Sequence, residues 1–239
     1  MTRHRASVRH MTDLMPALEQ HTASLLATAG SLRDLEHDSF CPGWTRAHIL
    51  THLARNGDGM ANLVRAAVDG YPATMYANPQ ARDLDIEVGA SREPHVILAD
   101  LETTANAALE ALRRLGPEHS DVLVERTPGG RTFRAGVLPY LRLREVVYHH
   151  IDLDAGFTFD DVEPELLAMF LDREVTSLAR NPEAPSIRIH SDEGDSYDVG
   201  DDPGIVVTGP RAGVVLWLAR RLPSEVQGSP ALPDLPQGA

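Results

Sequence analysis

Cysteine occurs once in the 239 residues, at Cys41, so no internal disulfide can staple this chain. Long apolar stretches are missing as well: no run approaches the roughly 20 residues needed to span a bilayer, and no export segment is visible. The basic start, Met1 to His10, is followed by an amphipathic pattern and not by a signal core. These absences point to a cytoplasmic protein. Positive charge is also in deficit, with 22 basic against 35 acidic residues and a net charge of −13. The basic residues are spread out, which disfavours a nucleic-acid partner held by phosphate neutralisation. What remains is 42% hydrophobic and 24% charged, enough to bury one large core or two modest ones.

Chemistry concentrates in Glu145-Val-Val-Tyr-His149. Gly136 ends the loop before it, Pro139 suits a first turn and Gly156 follows, so the spacing predicts a helix over Leu138 to Asp152. Leu138, Leu141, Glu145, His149 and Asp152 then share one stripe. A carboxylate and an imidazole at i and i+4 lie about 5–6 Å apart on one face, close enough to hold one metal ion. Without a ligand the same pair is an ordinary exposed contact. A third donor is offered by the stretch Cys41 to Ala54, where Thr45 is an N-cap candidate and Ile49, Leu50, Leu53 and Ala54 recur with helical spacing. His52 sits inside that apolar run, either as a hydrogen-bonded core residue or as the missing ligand. Two histidines and a carboxylate with an open fourth position form a catalytic zinc arrangement. A His48/His52 pair competes, although His48 is nearer the helix start. His150 points about 100° away from His149. The preferred set is His52, Glu145 and His149.

Along the chain, helices are expected from Val8 to about Ala29, from Thr45 to about Val68 and from about Pro94 to Leu115. A polar connection from Pro72 to Ser91 is long enough to cap a site. A short hairpin is expected within Asp121 to Thr132. After Gly156 the pattern changes to helix (Val162 to Ala179), paired strands (Ser186 to His190 and Tyr197 to Val199), a further strand (Ile205 to Thr208) and a helix (Ala212 to Arg221). The Pro/Gly-rich tail from Pro223 reads as extended or disordered.

The segment Cys41-Pro-Gly-Trp44-Thr-Arg-Ala-His-Ile-Leu-Thr-His52-Leu-Ala, with Arg142-Leu-Arg144-Glu145-Val-Val-Tyr-His149-His-Ile-Asp152 far downstream, resembles the mycothiol-dependent maleylpyruvate isomerase family. Arg82-Asp-Leu-Asp-Ile-Glu87 belongs to the match. So does Trp217-Leu-Ala-Arg-Arg221, which resembles the family's W-L-x-G-R with Arg220 where glycine is usual. The resemblance implies an α+β protein in two domains: a DinB-like four-helix metal-binding domain at 1–157 and a small α+β domain at 158–239. It further implies zinc on His52, Glu145 and His149, mycothiol as the thiol, and an arginine at Arg221 acting on substrate or thiol; whether Arg220 takes that place stays open. The expected reaction is cis–trans isomerisation of maleylpyruvate by reversible thiolate addition. The dicarboxylate substrate calls for guanidinium clamps, with Arg221 and Arg82 as candidates. Asp152 either orients a ligand or makes a plain i,i+3 contact. A mycothiol-dependent S-transferase and a non-catalytic zinc protein with Cys41 as fourth donor remain as alternatives. The oligomeric state is not set by the sequence.

Overall fold

A computed structural model describes residues 14–236, and the chain divides into two compact units at Ala155/Gly156. The fold class is α+β, as the sequence indicates. The first unit holds α1 (Met15–Ser31), α2 (Arg46–Asp69), α3 (Pro79–Ala90), α4 (Pro94–Leu112), the strands β1 (Leu123–Glu125) and β2 (Thr132–Arg134), and α5 (Leu138–Asp152). Helices α1, α2, α4 and α5 form the bundle: α2 packs on α4 and α5, and α1 on both α5 and α4. Their inward stripes are fully buried, with Leu18 and Leu25 of α1, Leu50, Leu53 and Leu63 of α2, Leu101 and Ala108 of α4, and Leu143 and Val147 of α5. Each large aliphatic side chain removed from water contributes about 1.5–3 kcal/mol. The part of the first expected helix before residue 14 lies outside the described residues.

Helices α2 and α4 approach closely at Gly57, where a Cβ would stand 2.9 Å from the backbone oxygen of Thr104. That neighbour is backbone and cannot turn aside. Alanine gains about 1 kcal/mol of helix propensity over glycine, but overpacking costs about 1–3 kcal/mol. Gly57→Ala is therefore expected to be net destabilising, read as a lower denaturation midpoint with an unchanged m-value.

The stretch expected to be a polar connection, Pro72 to Ser91, carries α3. The Asn78 side chain accepts from the Ala81 N–H at 2.8 Å and Pro79 occupies the first turn, so the helix is properly started. Only Ile86 and Gly89 of α3 are buried, whereas Leu84 and Val88 are 62% and 59% exposed. No apolar stripe marks this helix in the sequence. Gly89 lets α3 lie directly on α2, since a Cβ there would meet the Thr51 methyl at 2.4 Å. Ahead of α3, Met75 N–H donates to Glu125 O (3.0 Å) and Tyr76 N–H to Arg126 O (2.9 Å), tying this segment to the β1–β2 hairpin.

The second unit contains α6 (Pro164–Leu178), β3 (Ile187–Ser191), β4 (Ser196–Val199), β5 (Ile205–Gly209), α7 (Arg211–Arg220) and β6 (Gln227–Ser229). The strand order is β4-β3-β5-β6, with β3 parallel to β5 and the other pairs antiparallel. Strand β3 alternates cleanly, with Ile187 and Ile189 fully buried. Of the tail expected to be extended or disordered, 227–229 is extended and pairs with Val206 to Thr208 of β5. Backbone hydrogen bonding along a sheet edge holds β6 where side-chain pattern gives no hint. Among the described residues no helix is long and apolar enough to cross a membrane.

Candidate metal centre

Helix α2 begins at a reciprocal cap. The backbone N–H and hydroxyl of Thr45 both approach His48 Nδ1, at 3.2 and 2.8 Å. His48 is thereby committed to the helix start, and its Nε2 lies 3.4 Å from Glu87. One turn later His52 is buried, with Trp44 tilted over its ring at a centroid distance of 5.4 Å. On α5, Glu145 and His149 face it. His52 Nε2 stands 2.9 Å from Glu145 Oε2, His149 Nε2 stands 3.6 Å from the same oxygen, and the two imidazole rings meet edge to face at 4.6 Å.

One ligand atom from each of His52, Glu145 and His149 lies within 4.8 Å of the other two. A tetrahedral ion with ligand bonds of 2.0–2.2 Å holds its donors about 3.3 Å apart. The two measured nitrogen–oxygen separations bracket that value, so this N₂O set fits zinc by spacing and by donor type. His48 is not part of it.

The surroundings orient the donors. His149 Nδ1 lies 2.7 Å from Asp152 Oδ2, and the Asp152 side chain is fully buried. A carboxylate on Nδ1 fixes the ring and leaves the Nε2 lone pair for the centre. Phe40 N–H donates to the Asp152 carbonyl at 3.0 Å, which brings Cys41 Sγ to 3.3 Å from Asp152 Oδ2. Cys41 therefore groups with His149 and Asp152, on the Nδ1 side of the ring, and not with His52 and Glu145.

Burial opposes the charge of Glu145, but hydrogen bonds from His149 and His52 prevail and hold its carboxyl well below the usual range. Burial also opposes a charged His149; hydrogen bonds to Asp152, Cys41 and Glu145 raise it well above the ordinary value. His52 is lowered to about 4, chiefly by burial and against its hydrogen bond with Glu145.

The chain has no lysine, so every fixed cation near the donors is a guanidinium. Arg82, on α3, places Nη2 3.2 Å from His52 Nδ1 and pairs with Asp83 at 2.6 Å. Arg142 is 1% exposed and donates from Nη1 to Leu53 O at 2.9 Å and to Asn56 Oδ1 at 2.7 Å. Burial pulls the Arg142 pKa down to about 10 against the pull of Glu145, Tyr76 and Asp58. Neither Arg142 nor Asn56 is singled out by sequence reasoning. The available signal is spacing: Arg142 is three residues before Glu145 and Asn56 four after His52, so both follow the donors' helical faces.

Arg221 lies in the second unit. It follows α7 in the left-handed conformation (φ 63°) and its N–H bonds Trp217 O at 2.9 Å. Its guanidinium reaches Leu218 O and, through Nε at 3.2 Å, Pro236 O. Arg220 is the last residue of α7, with Nη1 3.1 Å from Ala219 O. The structure thus gathers His52, Glu145, His149 and Arg82 in the first unit, and gives Arg221 a capping position within the second.

No curated protein matches the chain. A solved structure described as a crystal structure of the mycothiol-dependent maleylpyruvate isomerase is similar at 27% identity over 99% of both chains, with a TM-score of 0.82. Another, described as the H52A mutant of that isomerase, is similar at 26% identity over 99% of both chains, with a TM-score of 0.84. The family description "mycothiol maleylpyruvate isomerase N-terminal domain" matches residues 16–154, more than half of the sequence and all of the elements that carry the donor cluster; the chain belongs to that family.

Proposed function

We propose that this protein is a zinc- and mycothiol-dependent isomerase that converts maleylpyruvate to fumarylpyruvate. The observation that carries the reading is the convergence of His52 Nε2, Glu145 and His149 in a member of this family. His52, Glu145 and His149 would hold the ion and take no part in bond making. Zinc so held would supply residual positive charge that keeps a thiol deprotonated at neutral pH, where a free thiol near pKa 8.5 is mostly protonated. Asp152 keeps His149 in the ligating tautomer. Cys41 lies against Asp152 and groups outside the set of His52, Glu145 and His149, which favours an exchangeable site over a closed structural one with that sulfur as a donor.

Arg82 supplies a guanidinium at the edge of the donor set, and a substrate carboxylate would take the place of its exposed partner Asp83. Arg221 is the second guanidinium that the sequence resemblance implies. The test is an assay of maleylpyruvate isomerisation with the zinc-loaded protein and purified mycothiol. Activity should require both, disappear with a chelator and return with zinc. Arg82→Ala should lower kcat/KM by about 10- to 100-fold with metal content intact. A protein that holds zinc yet leaves maleylpyruvate unchanged, while conjugating mycothiol to other electrophiles, would replace the isomerase reading with the S-transferase one.

A further inference from the structure

Tyr76 stands beside the donor cluster without having any structural task for its hydroxyl proton. Its backbone is held at 2.9 Å to the β-hairpin, and its ring lies between two guanidinium groups, with Arg82 Cζ at 5.9 Å and Arg126 Cζ at 6.0 Å from the centroid. Arg82 lies between the His52 imidazole and the Tyr76 ring: Nη2 is 3.2 Å from His52 Nδ1, and the same guanidinium stands over the phenol ring. An arginine has no acceptor, so neither guanidinium beside the ring can take the Tyr76 O–H proton, which stays available for another group. No acceptor for it occurs among the described residues, and the side chain is half-buried, open to a ligand. Burial, helped by the nearby Glu145 charge, pushes the phenol pKa up, so the proton stays on.

We propose that Tyr76 is a catalytic hydrogen-bond donor that stabilises the negative charge developing on the substrate's ketone oxygen. The inference rests on the isomerase reading above and names a residue for it. Isomerisation needs the conjugated double bond to be lost for a moment. The substrate accepts the sulfur lone pair at one alkene carbon, forming a C–S bond, and its π pair shifts onto the ketone oxygen. After rotation about the resulting single bond the pair returns, the C–S bond breaks, and the thiolate leaves unchanged. No proton and no redox partner is consumed, so what helps most is a fixed donor at the oxygen that becomes negative. A phenol flanked by the Arg82 and Arg126 cations is such a donor. Because the pinned loop and α3 set its position, it needs no reorganisation when charge appears.

Tyr76→Phe deletes the oxygen alone and keeps the ring between its two arginines. In the zinc-loaded protein with mycothiol, kcat is expected to fall by about 100-fold, while the KM for maleylpyruvate moves by less than about threefold. Zinc content and melting temperature should match wild type, which separates the role from a packing one. Unchanged kcat in an active enzyme overturns the proposal, as does a loss confined to KM, which would make Tyr76 a binding contact. A wild-type protein that binds zinc and has no maleylpyruvate activity overturns the isomerase reading itself and the role of Tyr76 with it.

Discussion

Glu145→Gln is expected to release the metal and to lower isomerisation by at least about 1,000-fold. The amide keeps the volume and a carbonyl oxygen, so the helix and its packing should survive, but the only anionic donor of the set is gone. Two neutral imidazoles from His52 and His149 then face a divalent ion without charge compensation, and the carboxylate oxygen that stands 2.9 and 3.6 Å from them is lost. His52→Ala should have the same result, since it removes the donor contributed by α2 and leaves only the i,i+4 pair of α5. Metal analysis after dialysis, together with the isomerase assay, checks both variants. Asp152→Asn should be milder. It keeps an acceptor for His149 Nδ1 but weakens it, and loss of such an outer partner reduces metal affinity by about 10- to 100-fold. If Glu145→Gln retained a full complement of zinc, the ion would have to sit elsewhere, with Cys41, His149 and Asp152 as the competing donors.

Much of this arrangement was legible because helices repeat. The pair Glu145/His149 and the burial of His52 follow from period and polarity, and the bundle helices have apolar stripes that declare them. Helix α3 has none. Only Ile86 and Gly89 are buried, the latter against Thr51 of α2, while Leu84 and Val88 are exposed, so the segment reads as a connection although Asn78-Pro79 signals a start. Arg82 could be placed near the donors only through resemblance; its contact with His52 depends on how α3 crosses α2. Tyr76 depends on a backbone pairing between a loop and a hairpin, and Cys41 reaches Asp152 across 111 residues through one hydrogen bond of its neighbour Phe40. Such contacts are set by tertiary packing, and no local pattern encodes them. Strand β6 illustrates the same limit, since three residues of a Pro/Gly-rich tail become ordered by the free edge of β5.

The second large effect is expected at Arg142, and it concerns stability before chemistry. A guanidinium at 1% exposure has lost its water, and its described partners are neutral: the carbonyl of Leu53, adjacent to His52, and the side chain of Asn56. Its Nη2 has no hydrogen-bond partner among the described residues. Arg142→Ala would leave a cavity between α2 and α5 and strip a buried donor from Asn56 Oδ1, at a cost of about 3–5 kcal/mol. Arg142→Met restores most of the volume and removes the buried charge, so its cost should be smaller, about 1–3 kcal/mol, and set mainly by the stranded amide. Adding Asn56→Leu to Arg142→Met should recover part of that loss, because the polar group that lacks a partner is gone. Chemical denaturation in the presence of a chelator measures all three without interference from metal binding. An Arg142→Ala protein within about 1 kcal/mol of wild type would show that water reaches this position and that the helices are not locked here. If the ordering holds, zinc affinity should follow it, since the Arg142 contacts join α2 to α5 one turn from the facing donors, and any loosening there separates His52 from Glu145.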